Sequence, residues 1–335
     1  VWLLTGATIH CFQAAGKEIG MSAREFSMLL TLGAIWGASF MFIKLGSEDL
    51  QPFALVELRL ALAGVVLLAA NAYRKGQFAA LLANWRALTV LGLLNCAVPY
   101  VLITWGEHYI SSGLAAIYNA CAPLWAAVLL ALLPASSERL TGVRLLGLVF
   151  GMLGVILVVS GNLSLASEDP LHLVGQGACL LAALSYAIAG IFARRTLAGV
   201  PSSVSATGQL VTGAIMLIPL AALQLPTRMP SWLSLGAVIA LAVLGTALAS
   251  MMYYWLIARV GATGALLVTY LLPGFALVWG ALFLREQITL TAVLGLCLVL
   301  LGIAVTSGSG PKLVAAVTRF RRGRMSGGGT GSLPV

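Results

Sequence analysis

The sequence predicts an all-α, polytopic membrane protein: ten transmembrane helices arranged as two inverted five-helix repeats, with both termini cytoplasmic. Three observations carry this expectation. Of 335 residues, 60% are hydrophobic and only 9% charged, against roughly 25% charged in a soluble domain, and the mean hydropathy is +1.02. Apolar runs about 20 residues long, the length a helix needs to cross the hydrocarbon core, fall at 28–46, 53–73, 87–106, 112–133, 142–161, 173–193, 204–224, 232–255, 262–284 and 290–307. The second half of the chain also repeats features of the first.

Taken in order, residues 1–27 read as a poorly ordered N-terminal extension. They have no initiating Met, no basic n-region, and too short an apolar core for a signal peptide or a span, so Met21 is the expected natural start. Each run that follows must be helical, because lipid offers backbone N–H and C=O groups no water. The links between runs hold most of the cations. Placing the N-terminus inside puts Lys17, Arg24, Arg74, Lys75, Arg86, Arg139, Arg144, Arg194, Arg195, Arg259 and the cations of the tail on the cytoplasmic side. Lys44, Arg228 and Arg285 are then outside and Arg59 is within a span.

The net charge of +9 therefore reads as an orientation signal and a contact with the bilayer surface, not as a nucleic-acid footprint. The five cysteines, Cys11, Cys96, Cys121, Cys179 and Cys297, have no ligand spacing. Neither a disulfide framework, a metal site nor any cofactor is expected.

The repeat is legible by spacing. "ERLTGVRLLGLVFGMLG" (Glu138 to Gly154) and "EQITLTAVLGLCLVLLG" (Glu286 to Gly302) each carry Glu, then Thr three residues on, Gly nine on and Gly sixteen on. "ISSGLAAIYNACAPLW" answers "GATGALLVTYLLPGF", with Gly113 and Pro123 matching Gly264 and Pro273. Trp36 and Lys44 are spaced like Tyr186 and Arg194, and Arg59 falls opposite Gln209. The halves are 28–161 and 173–307, with 162–172 a connecting loop and 308–335 a basic, Gly-rich cytoplasmic tail. Five spans per half is an odd number, so the second half enters the membrane upside down relative to the first.

With "LGAIWGASFMFIKLG", "VELRLALAG", the two Gly-to-Pro segments and the two Glu-x-x-Thr starts in these positions, the chain resembles the drug/metabolite transporter superfamily, most closely its EamA-type members. The resemblance covers about residues 28–307. It implies a secondary transporter, an exporter of a small metabolite, amino acid or drug-like solute, multi-pass in a bacterial cytoplasmic (inner) membrane. It also implies a central cavity walled by the first four helices of each repeat, with the fifth helices peripheral.

Pro99, Pro123 and Pro273 sit inside spans, where each removes a backbone donor and frees a carbonyl near a kink. The polar and aromatic residues nearby, Asn95, Tyr100, Trp105, Tyr118, Asn119, Tyr253 and Tyr270, could line a cavity or bond neighbouring helices; Trp36, beside Gly33 and Gly37, could pack or meet solute. Glu57 and Arg59 are two residues apart, about 200° around a helix, and so face nearly opposite sides. Lys44, Glu57 and Arg59 are the candidates for coupling or gating. A Lys44–Glu57 pair with a titrating Glu57 would serve proton coupling, and snorkelling to the outer headgroups is the alternative for Lys44 and Arg59. Protons or a counter-substrate are the expected driving partners.

Glu107 and His108 read as solvated loop residues. Glu138 and Glu286 should fix the turns into the fifth and tenth helices, with Thr141 and Thr289 as N-caps, and Gly147 with Gly151 could mediate a homodimer. No HExxH, GxSxG, membrane aspartate pair or phosphate loop is present, so no enzyme is expected. The remaining rival is a non-transporting receptor or scaffold.

Overall fold

The computed structural model describes residues 22–72, 76–132, 142–161, 170–265 and 267–306. All regular structure among them is helical. The principal helices are α1 (Ala23–Gly46), α2 (Pro52–Asn71), α3 (Trp85–Gly106), α4 (Ser112–Leu132), α5 (Gly142–Ser160), α6 (Leu171–Thr196), α7 (Ser202–Ala222), α8 (Trp232–Gly261), α9 (Val268–Phe283) and α10 (Leu290–Thr306). Seven of these, α1 to α4 and α6 to α8, are long and apolar enough to cross a membrane; the apolar helices Leu145–Ser160, within α5, α9 and α10 are shorter. A short helix, Gln77–Ala83, precedes α3.

Helix ends follow local chemistry. The first helix starts at Ala23, ahead of the expected residue 28, because Ser22 and Glu25 form a capping box: Ser22 N–H donates to Glu25 Oε2 at 2.8 Å and Glu25 N–H to Ser22 Oγ at 3.4 Å. Residues 1–21 and the tail from 307 lie outside the described residues, as do 162–169, while Leu171 and His172 already belong to α6. The fourth helix breaks at Ala120 and Cys121, just before Pro123, as a proline kink requires. Gly261, at φ +75°, ends α8 where the next run is expected to begin; residues 262–265 form a further helical turn, and α9 proper starts at Val268. Pro273 lies inside α9, which continues through it.

The halves interlock. Helix α1 packs on α8 and α9, α6 on α3 and α4, α2 on α7, and α5 on α10. Exchanging each helix of the first half with its counterpart in the second maps these principal pairings onto themselves. Close approach depends on missing side chains: a Cβ on Gly37 would lie 2.6 Å from Phe275 Cβ and 2.9 Å from Ala276 N in α9. The pair expected to serve dimerisation is used within the chain. A Cβ on Gly147 would meet Thr306 Oγ1 at 2.4 Å, and one on Gly151 would meet Leu124 Cδ1 at 2.3 Å, so this face is already covered by α10 and α4.

The outside is apolar. Val65, Val143, Leu146, Ile215 and Leu233 are all more than half exposed, a surface that water would penalise and lipid tolerates. Trp85 and Trp232, at 55% and 88% exposure, open α3 and α8 where an interfacial aromatic belt is expected.

Candidate functional site

A cavity of about 820 Å³ lies between the halves, lined by every principal helix except α5. The tenth helix contributes Ile303 and Thr306, so one of the two expected peripheral helices reaches the wall. Wall residues recur at a constant offset of 150: Trp36 with Tyr186, Arg59 with Gln209, Asn95 with Gly245, Tyr100 with Ser250, Ile103 with Tyr253, and Asn119 with Thr269.

The same offset separates two π-helical segments, Leu93–Ala97 in α3 and Val243–Leu248 in α8. Each closes with an N–H bonded five residues back, Val98 to Leu93 O and Ala249 to Leu244 O. A π-turn inserts a residue and rotates the side chains beyond it. In α8 it aims Thr246 inward, where its hydroxyl donates to Leu241 O at 2.9 Å and accepts from Arg59 Nε at 2.9 Å. The Arg59 guanidinium also lies over the Tyr100 ring, 3.7 Å from its centroid, a cation–π contact. Close by, Asn95 Nδ2 donates to Gln209 Oε1 at 2.8 Å, and Asn119 Oδ1 is buried without a partner.

Of the residues singled out from sequence, Trp36, Arg59, Asn95, Tyr100, Asn119, Pro123 and Tyr253 line this cavity. Others lie elsewhere. Tyr118 is fully buried, its hydroxyl donating to Gln176 Oε1 at 2.8 Å across α4 and α6. Trp105 pairs with Tyr109 at 4.9 Å between ring centroids, and Tyr270 packs on the main core. Pro99 is buried behind the π-turn; the carbonyl five residues back from its missing N–H, Leu94 O, accepts from Ser185 Oγ at 2.7 Å, so this proline helps join α3 to α6.

Lys44 does not pair with Glu57. Its ammonium donates to the backbone carbonyls of Glu107 and, at 3.0 Å, Ile110, capping the electronegative end of α3. Glu57 is half-buried with Oε2 unpartnered and is absent from the cavity wall. The expected opposition of Glu57 and Arg59 around α2 therefore turns Arg59 inward and Glu57 away.

Sequence reasoning missed an acidic cluster at the C-terminal end of α3. Glu107, expected to be solvated, is fully buried, and neither carboxylate oxygen has a hydrogen-bond partner; His108 beside it is exposed. Burial, with the negative Glu286 nearby, pushes the Glu107 carboxyl well above the usual carboxylate range despite the pull of Lys44. Glu286 does not cap the turn into α10, a role Thr289 fills by accepting from Ala292 N–H at 3.2 Å. Its carboxylate crosses to the other half and caps α4, accepting from Ser112 N–H and Ser112 Oγ, both at 2.8 Å, and from Gly113 N–H at 3.3 Å. Glu138 and Thr141 lie outside the described residues. Asp49 makes a similar tie: it accepts from Ser231 N–H, Ser231 Oγ and Ser234 Oγ at the start of α8, and these donors hold its carboxyl below the usual range.

An integral, multi-pass helical protein whose two halves enclose a largely apolar and aromatic cavity with a few polar groups has the architecture of a membrane transporter. Comparison with known proteins supplies the family. Residues 24–160 and 173–308 each match the EamA-like transporter family, and the chain belongs to that family within the drug/metabolite transporter superfamily. Its relatives include the uncharacterized inner membrane transporter YedA of Escherichia coli, 30% identical over 76% of this chain and 81% of that protein. The uncharacterized transporter YoaV of Bacillus subtilis is 23% identical over 82% of this chain and 94% of its own length. A solved crystal structure of 20% sequence identity shares the fold, with a TM-score of 0.59 over 86% of this chain and 98% of that one.

Proposed function

We propose that the protein is a secondary transporter that exports a small metabolite, amino acid or drug-like solute across a cytoplasmic membrane by alternating access. In this reading all ten apolar helices cross, the halves are inserted in opposite senses, both termini are cytoplasmic, and a proton or counter-substrate gradient drives the cycle. The observation that carries it is the cavity wall drawn from equivalent positions, 150 residues apart, in both halves. Two mirrored halves that exchange conformations turn an outward-open cavity into an inward-open one. A receptor or scaffold gains nothing from such a wall.

The test is counterflow in proteoliposomes, using labelled metabolites of several charge classes. The expected result is protein-dependent uptake of at least one labelled solute against an excess of the same unlabelled solute inside. Silence across the whole set would favour the scaffold.

A further inference from the structure

We propose that the cavity takes an anionic solute, a monocarboxylate with an apolar or aromatic body, and that Arg59 receives the carboxylate. This rests on the reading of the cavity as the transport pathway. Arg59 is only 6% exposed, in a helix whose surroundings are lipid and apolar side chains, where an uncompensated cation costs at least a few kcal/mol. The groups it touches are neutral, the Thr246 hydroxyl and the Tyr100 ring, and Glu107, the acid whose field reaches it, lies outside the cavity wall. Among the described residues no acidic side chain lines the cavity, and the charged wall residues are Arg59 and Arg194. The terminal N–H groups of Arg59 therefore remain for whatever occupies the space.

Geometry narrows the class further. Thr246 takes the Nε–H and Tyr100 takes one face, while the terminal nitrogens make no hydrogen bond among the described residues. What remains is the end-on fork of two parallel N–H donors, which matches a carboxylate. The position equivalent to Arg59 in the other half is the neutral Gln209, so repeat geometry does not demand a cation here. The rest of the wall suits the remainder of such a solute. Trp36 and Tyr253 meet at 5.3 Å between ring centroids and, with Tyr254 and Tyr186, offer aromatic faces. The unpartnered Asn119 Oδ1 awaits a hydroxyl or N–H on the solute body.

The experiment compares three probes of one shape, 3-phenylpropionate, 3-phenylpropanamide and 3-phenylpropylamine, by quenching of tryptophan fluorescence in the purified full chain. The carboxylate is expected to bind at least about tenfold more tightly than the other two. Arg59→Gln should remove that preference, and Arg59→Lys should keep part of it, since an ammonium preserves charge but not the fork. Asn119→Asp, which adds a negative charge to the same wall, should weaken the carboxylate and favour the amine even if the Arg59 variants fail to fold. Equal binding of the three probes, preference for the amine, no binding of any, or preference surviving in Arg59→Gln would each overturn the assignment. Phenylphosphonate binding better than the carboxylate would overturn the carboxylate as the class. Counterflow of neutral or cationic solutes without anion preference would leave transport standing and remove this inference; anion preference without counterflow of any anion would do the reverse.

Discussion

Gly37→Leu is expected to abolish recovery of monodisperse, folded protein from the membrane, while Gly236→Leu leaves recovery near wild type. A Cβ on Gly37 would approach the backbone of α9, 2.9 Å from Ala276 N and 3.0 Å from Leu272 O. Backbone cannot rotate aside as a side chain can. Overpacking a core costs about 1–3 kcal/mol, more where neighbours are rigid, and the losses here fall on a contact that joins the two halves. Gly236 is exposed, with nothing within 4 Å of a Cβ. Size-exclusion chromatography and a thermal midpoint in detergent check the pair, and equal behaviour of the two variants would remove close packing of α1 on α9 from the account.

The second large effect concerns Glu107. Its folded pKa is raised above the ordinary value of 4.5, so the folded state holds this proton more tightly than the unfolded chain does. Stability from this group is complete below the unfolded value and is lost as pH climbs from about 4.5 toward the folded pKa. The charged groups acting on it are Lys44 from α1, Arg59 from α2 and Glu286 from the segment before α10. Glu107→Gln keeps shape and hydrogen-bonding capacity without the charge. The variant should match wild type near pH 4.5 and be the more stable of the two at pH 8, because only the wild type then holds a carboxyl whose proton affinity folding has raised. Its midpoint should also vary less with pH. A variant with the wild-type slope would mean that Glu107 is not the titrating group.

Much of the fold was legible because lipid removes the alternatives: an apolar run of sufficient length can only be a helix, and its repetition at fixed spacing reveals duplication. The site was legible where the repeat did the work. Spacing pairs Trp36 with Tyr186 and Arg59 with Gln209, and all four lie in one wall, although only Trp36 and Arg59 stand among the site candidates read from sequence and Tyr186 and Gln209 do not. It failed where position along a span was not enough. Tyr118 and Asn119 are adjacent, yet one is sealed between helices and the other faces the cavity, a difference of about 100° around a helix that no apolar run records.

The π-turns left no mark in residue type, so the inward rotation of Thr246 and its bond to Arg59 were unreadable. Lys44 misled for another reason. Its counterpart Arg194 does reach the wall, but carbonyls at the end of α3 lay within reach of the shorter ammonium, and a helix terminus is a ready partner for a cation. Glu107 looked solvated because it follows a span. The loop around it is packed, which local composition does not reveal.

The central claim is that the two halves enter the membrane in opposite senses around one cavity. Its most direct test is thiol labelling in whole cells with an impermeant reagent, using Ser167→Cys in the connection and Ser332→Cys in the tail, each with the native cysteines replaced by alanine. Opposed insertion predicts that position 167 is labelled from outside and position 332 only after the cells are opened. Labelling of both from the same face would contradict it.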